Sequence, residues 1–222
     1  MRKLLILIIP LLIIPAVVVA GYIIGRNSYA FVSALVVLLG CVPFFLAFED
    51  GNNSGRRVVT LAVMTALSVA GRFIFAPIPF FKPVTAMVII SAMYFGSGFG
   101  FLTGALSALI SNFYFGQGPW TPFQMFAWGL IGFLAGLLSD PLKRSKLVLI
   151  LYAVFSGFLY SVILDTWTTL WADSGFNLTR FLALTATSFP ITVVYIVSNV
   201  VFLLIFTPLF SKKLDRIIKK YG

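Results

Sequence analysis

Eight apolar stretches follow one another along the chain, at approximately 4–24, 30–48, 58–75, 84–94, 99–110, 122–138, 147–170 and 181–210, with short polar breaks between them. Crossing a hydrocarbon layer takes about 20 apolar residues in a helix. Most of these stretches meet that length. The pattern predicts an all-α, polytopic transmembrane helix bundle with no room for a soluble domain. The fourth and fifth stretches are short and joined by Phe95-Gly96-Ser97-Gly98. They form either one long span or two short, tilted ones.

Positive charge arbitrates. With a cytoplasmic N-terminus and two separate short spans, the inner side holds Arg2, Lys3, Arg56, Arg57, Lys143, Arg144, Lys146, Lys212, Lys213, Arg216, Lys219 and Lys220. The outer side holds only Arg26, Arg72, Lys82 and Arg180. Such a bias follows the positive-inside rule. Fusing the two stretches into one span would invert everything after Val84 and put the basic loop and tail outside. Eight spans with both termini cytoplasmic is therefore the expected topology. The outer loops are then 25–29, 76–83, 111–121 and 171–180. The last three are longer, or richer in proline, aromatics and amides, than the inner turns, which draws function to the outer face. The basic tail, with Leu214, Ile217 and Ile218 among lysines, reads as an amphipathic segment at the inner interface. The first stretch resembles a signal peptide in its basic start and small residues, but its length predicts a retained first helix.

Composition agrees and narrows the function. Of 222 residues, 60% are hydrophobic and 10% charged, too few charges to cover a water-soluble domain of this size. The net charge of +10 is spread over several short loops. Topology and anionic lipid explain it better than nucleic acid, for which no role is expected. There is no histidine and one cysteine, Cys41, so neither a disulfide, a metal site nor a histidine-dependent hydrolase is expected. No Walker motif is present, so the chain is not expected to hydrolyse ATP. No cofactor is expected either. Few acids lie inside the spans, which weakens a proton-coupled carrier.

Three groups of residues carry candidate chemistry. Ala62, Ala66 and Ala70 repeat at four-residue spacing, giving one smooth helix face that another backbone can approach closely; the same spacing also suits packing inside the bundle, and Gly100/Gly104, Gly132/Gly136 and Gly21/Gly25 share it. Arg72 opens the run R-F-I-F-A-P-I-P-F-F-K-P and falls in the outer part of its span, where a charge is expensive unless paired or wet. It faces a polar cavity or snorkels to headgroups. Asn112 to Trp128 reads N-F-Y-F-G-Q-G-P-W-T-P-F-Q-M-F-A-W. Thr121 and Gln124 fit a capping box, with Pro122 at the first helical position. Asn112, Tyr114, Gln117, Trp120 and Trp128 remain after capping is subtracted. Aromatics with amides suit a flat, polar organic ligand, and an interfacial aromatic belt is the structural alternative. Asp165 and Thr168 in the seventh stretch and Ser188 in the eighth complete the substrate-binding candidates; Asp165 also suits an ion pair with Arg72. Thr185, Ser188, Thr192, Tyr195 and Asn199 form a stripe expected to face the bundle interior, with Asn199 deep towards the cytoplasm as helix glue.

From Arg57 onward the chain resembles the substrate-binding S component of an energy-coupling factor (ECF) vitamin transporter. The alanine face, the proline-bearing loop after it, and the short helix pair hinged at Phe95-Gly96-Ser97-Gly98 with its aromatic G-Q-G-P-W-T-P loop carry the resemblance. It implies a six-helix core over residues 57–222, with residues 1–50 as an added N-terminal transmembrane hairpin. It also implies a bacterial cell-membrane protein that binds a vitamin tightly on its outer face and is not itself an enzyme. The implied partners are a transmembrane T component, docked at Ala62, Ala66 and Ala70, and two ATPase subunits. Loops 76–83, 111–121 and 171–180 would close over the ligand. The G-Q-G-P-W-T-P-F-Q-M-F-A-W stretch most resembles cobalamin-type S components; riboflavin, pantothenate and a queuosine precursor stay open as ligands. An autonomous secondary carrier is the alternative from another class.

Overall fold

The computed structural model describes residues 2–24, 31–32, 34–36, 38–39, 42, 54–173 and 176–221. Cys41 and the first outer loop, 25–29, lie outside the described residues. Among those described there is no strand. α1 (Arg2–Ile8) passes through a π-helical turn, Ile9–Ile13, into α2 (Ile14–Ile24). Pro10 opens that turn and supplies no N–H, and the Ile14 N–H reaches back five residues to the Ile9 carbonyl, the wider spacing that defines a π turn. Described positions within 31–42 are helical too, and Gly21 packs directly onto Val32, where a Cβ would meet the valine at 2.1 Å. This N-terminal part rests on the helix Thr121–Leu137.

The remaining helices are α3 (Ser54–Ile74), α4 (Val84–Phe95), α5 (Ser97–Phe115), α6 (Thr121–Leu137), α7 (Ser139–Arg144), α8 (Lys146–Asp173) and α9 (Leu178–Tyr221). Among the described residues, four helical segments are long and apolar enough to cross a membrane: Gly55–Ile74, Ser97–Phe115, Lys146–Ala172 and Leu178–Arg216. Leu5–Gly21, Val84–Phe95 and Thr121–Leu137 are shorter apolar helices. α4 and α5 are separate, as charge predicted. Gly96 divides them at φ 96°, a left-handed conformation that favours glycine.

α4 is the centre of the bundle. Residues Val84 to Met93 are all buried, so this mainly apolar helix is covered on every face and has no solvent or lipid side. Its 12 residues reach only about 18 Å, short of a hydrocarbon layer. Neighbours α3, α5, α6 and α9 wrap it instead.

α5 and α6 make the closest helix pair. A Cβ on Gly100 would lie 2.6 Å from the Gly132 carbonyl oxygen, one on Gly104 2.4 Å from that of Trp128, and one on Gly136 2.3 Å from Ser97 Cα. The obstructing atoms are backbone, so the seam admits only glycine at these points. α7, a short helix, was not foreseen in the basic loop around Lys143. The tail continues α9 without a break, and Leu214 is buried in the core. Lys143 Nζ sits 4.7 Å from the centre of the Tyr94 ring, joining α7 to the C-terminal end of α4.

Candidate functional site

The proline-bearing loop after α3 turns inward. Lys82 donates its backbone N–H to Ser198 Oγ at 2.9 Å, and the same hydroxyl donates to the Lys82 carbonyl at 2.9 Å. Ser198 lies 20 residues into α9, about 30 Å along the helix, so the loop descends far between the helices. Lys82 Nζ donates to the carbonyls of Phe75, Ala76 and Ile78. It thereby caps the C-terminal end of α3, where a cation suits the exposed carbonyls. Burial and then the nearby Arg72 charge hold the Lys82 amine below its ordinary pKa. Phe80 takes φ 60°, a conformation costly for a bulky residue and one that clusters at functional sites.

Beneath Phe80 is a small cavity of about 30 Å³ lined by Phe80, Lys82, Val84, Thr85, Trp128, Tyr160, Tyr195 and Asn199. That is room for about one or two water molecules. Its walls are aromatic and mutually packed. Phe80 meets Tyr195 edge-on at 5.9 Å, Tyr195 meets Tyr160 at 5.0 Å, and Tyr160 stacks on Trp128 at 5.3 Å.

A polar network stands behind this wall. Arg72 donates from Nη1 to Ser111 Oγ and, at 2.8 Å, to Asn112 Oδ1. Its guanidinium lies 4.6 Å from the Phe115 ring centre and 5.3 Å from that of Trp128, within the range of cation–π attraction. Asn112 Nδ2 donates to Thr121 Oγ1 at 3.1 Å and to Gln124 Oε1 at 2.7 Å. Gln124 Nε2 donates to Tyr160 Oη at 2.9 Å. Thr121 donates to Gln117 Oε1 at 3.0 Å, and Gln117 Nε2 donates to the Leu109 carbonyl at 2.8 Å. A continuous path therefore runs from Arg72 through two amides to the phenol that lines the cavity.

The network overturns the capping box. Trp120, not Thr121, precedes α6 and makes no side-chain cap. Thr121 Oγ1 instead accepts from the Gly118 N–H at 3.2 Å and from Asn112. With one proton donated and two accepted, its hydroxyl is saturated. Pro122 does sit in the first turn of α6, where its missing N–H costs nothing.

Of the residues expected to bind substrate, Arg72, Asn112, Gln117, Thr121 and Gln124 thus form one network, and Trp128 connects it to the cavity. Asp165 and Ser188 pair with each other, Ser188 Oγ donating to Oδ2 at 2.9 Å. Arg72 and Asp165 do not pair. Thr168 bonds back to the Leu164 carbonyl at 2.9 Å. Trp120 meets Trp167 edge-on at 5.9 Å, further out. Tyr114 is 75% exposed and packs against Phe73 and Phe115 on the outside of the bundle. Asn199 does bond α9 to α8, donating to the Ala153 carbonyl at 3.3 Å. It also lines the cavity, because the loop reaches down to its level. Phe80, Lys82, Thr85 and Tyr160 were missed as site residues. A bulky aromatic between two prolines of an ordered loop was the available signal for Phe80.

Ala62, Ala66 and Ala70 are exposed along α3. With Val58, Leu61, Thr65, Val69, Phe73, Leu106 and Ile110 they line an open apolar groove of about 550 Å³. Among the described residues, no helix fills the groove.

No curated protein matches the chain, and no solved structure does. One family model matches residues 52–216, all of α3 to α8 and most of α9, and it is described as "ECF-type riboflavin transporter, S component". Together with the apolar helices, this makes the chain a multi-pass membrane protein and a substrate-binding transport subunit: it belongs to that family of ECF S components.

Proposed function

We propose that this chain captures a vitamin from outside the cell and passes it to an ATP-driven importer made with a T component and two ATPase subunits. Riboflavin is the leading ligand. The aromatic cavity under Phe80 carries the reading. Trp128, Tyr160, Tyr195 and Phe80 offer ring faces to a flat heteroaromatic system, and Thr85 and Asn199 add polar groups at its rim. Flat rings suit such walls, and the family description supports a flavin. At about 30 Å³ the cavity takes no vitamin until the 76–83 loop lifts. Phe80 then leaves its strained conformation and the space it fills becomes the ligand's. A corrinoid is the second reading, supported by the G-Q-G-P-W-T-P-F-Q-M-F-A-W stretch; it demands a wider opening. The alanine-lined groove is the proposed docking face for the T component. The expected orientation puts both termini in the cytoplasm and the cavity's mouth outside.

Mass spectrometry of small molecules that survive purification, followed by calorimetry with the hit, tests the ligand. Riboflavin bound with an affinity lost on Tyr195→Ala supports the flavin reading. Cobalamin in its place favours the second. Silence across riboflavin, cobalamin, pantothenate and queuosine precursors removes the capture role. Uptake into vesicles with an ion gradient and no ATPase would instead make the chain an autonomous carrier.

A further inference from the structure

Donors and acceptors in the buried network run in one direction. An arginine side chain only donates, and a peptide carbonyl only accepts. Arg72 Nη1 therefore meets the oxygen end of Asn112, at 2.8 Å. That leaves the Asn112 nitrogen to donate, to Thr121 Oγ1 at 3.1 Å and to Gln124 Oε1 at 2.7 Å. The nitrogen end of Gln124 then faces Tyr160 Oη, 2.9 Å away. A second branch fixes the same direction independently. The Leu109 carbonyl takes the Gln117 nitrogen, so the Gln117 oxygen faces Thr121 and accepts its proton. Thr121 can then only accept from Asn112, as the first branch requires. The two branches end differently. One closes on the Leu109 carbonyl. The other ends on the Tyr160 phenol, which accepts from Gln124 and keeps its own proton. No acceptor for that proton is present among the described residues. Tyr160 is 7% exposed and lines the cavity.

Resting on the flavin capture proposed above, we propose that Tyr160 determines specificity by donating its phenol proton to an acceptor at the ligand's ring edge, a carbonyl oxygen or a ring nitrogen. Arg72 is the positioning residue that sets this polarity through Asn112 and Gln124. It lies behind the Trp128 ring and is not one of the residues lining the cavity. A buried donor left without an acceptor is penalised. The site therefore favours an acceptor at this point and rejects a C–H in its place.

The probes are riboflavin, its deaza analogues, in which one ring nitrogen becomes C–H, and its thiocarbonyl analogues, in which one carbonyl becomes a weaker acceptor. Calorimetry with the purified full-length chain is expected to find one of these analogues about tenfold weaker than riboflavin, the scale of one lost hydrogen bond in a closed site. Tyr160→Phe should bring that ratio within about twofold of unity. Asn112→Asp should do the same while keeping the phenol. An aspartate only accepts, so Gln124 must turn its nitrogen towards it, and the Gln124 oxygen then takes the Tyr160 proton. Arg72→Lys, which also only donates, should keep the ratio; Arg72→Gln, which both donates and accepts, should shrink it. A merely structural role for these residues would weaken riboflavin and its analogues alike and leave every ratio unchanged. Asn112→Asp serves where Tyr160→Phe fails to fold, and the wild-type series needs no variant. Equal binding of all the analogues, or a ratio that survives in the Tyr160→Phe and Asn112→Asp variants, overturns the donor assignment and leaves the capture site standing. Binding of no flavin at all removes both.

Discussion

Two faces of small residues in this protein share one sequence pattern and meet opposite ends. On α5 and α6, glycines at four-residue spacing bring the backbones together until a single Cβ would lie 2.3–2.6 Å from a backbone atom. On α3, alanines at the same spacing face an open groove. The first face is consumed in building the bundle and the second is left for something else. Small-residue spacing therefore reports that a helix can be approached closely. It says nothing of whether the approaching helix belongs to the same chain. Size of the residue helps: glycine admits backbone-to-backbone contact within a fold, while alanine keeps the stiffness of an exposed helix.

Gly104→Leu is the harshest test of the closed face. The leucine Cβ would enter the Trp128 carbonyl, and no rotamer of another side chain relieves that clash. Overpacking ordinarily costs about 1–3 kcal/mol; here the backbone itself must move, so loss of monodisperse, folded protein in detergent is expected. A variant that purifies normally with an unchanged melting temperature would show that the seam is looser than the structure has it.

Ala66→Trp is the matching test of the open face. The ring fills the groove without touching the interior, so the isolated chain should fold and bind ligand within about threefold of wild type. Docking should weaken by the roughly 2 kcal/mol typical of a blocked central contact, about thirtyfold, and vesicle uptake with the complete importer should collapse. Uptake that survives would mean the groove is not the docking face. Ala66→Gly is the mild counterpart. Glycine costs an exposed helix about 1 kcal/mol but keeps the groove smooth. A melting temperature a few degrees lower with uptake per folded copy preserved would separate groove shape from helix stiffness.

How much of this was legible in the chain varies with the physics behind each feature. Run length and charge asymmetry marked the helices and separated α4 from α5 at Gly96, because desolvation of backbone and charge acts on sequence locally. The site was legible in part. Asn112, Gln117, Thr121 and Gln124 were picked out by residue type, and the structure brings them together, yet as partners of one another. Thr121 was read as a helix cap because capping is local; a buried amide from α5 competes for the same hydroxyl, and only the tertiary contact reveals it. Asn199 was read as helix glue and does bond α9 to α8, but its place on the cavity wall depends on the loop and has no signal along α9 alone. The descent of the 76–83 loop to Ser198 is a long-range event with no local signature beyond its prolines. Tyr160 escaped for the same reason, since nothing in its neighbours marks the wall it forms; Phe80 had only its flanking prolines as a signal.

The finest distinction between the two faces lies in one hydroxyl. Many serines and threonines in these helices donate back to a carbonyl four residues earlier, as Ser91, Thr103, Ser107 and Ser156 do. Thr65 is 3% exposed and lines the groove, yet its Oγ1 has no hydrogen-bond partner among the described residues. An unsatisfied buried hydroxyl costs about 1–3 kcal/mol, so Thr65→Val, which keeps the shape, should leave the isolated chain as stable or raise its melting temperature by a few degrees. In the assembled importer the sign depends on what enters the groove. A purely apolar partner helix makes the substitution silent for uptake, while a partner that offers a backbone carbonyl or hydroxyl to Thr65 makes it lower uptake two- to several-fold, about the 0.6 kcal/mol average of a hydrogen bond between membrane helices. A fall in melting temperature for the isolated chain would show that the hydroxyl is already bonded within the bundle, and the open face would then be more finished than its exposure suggests.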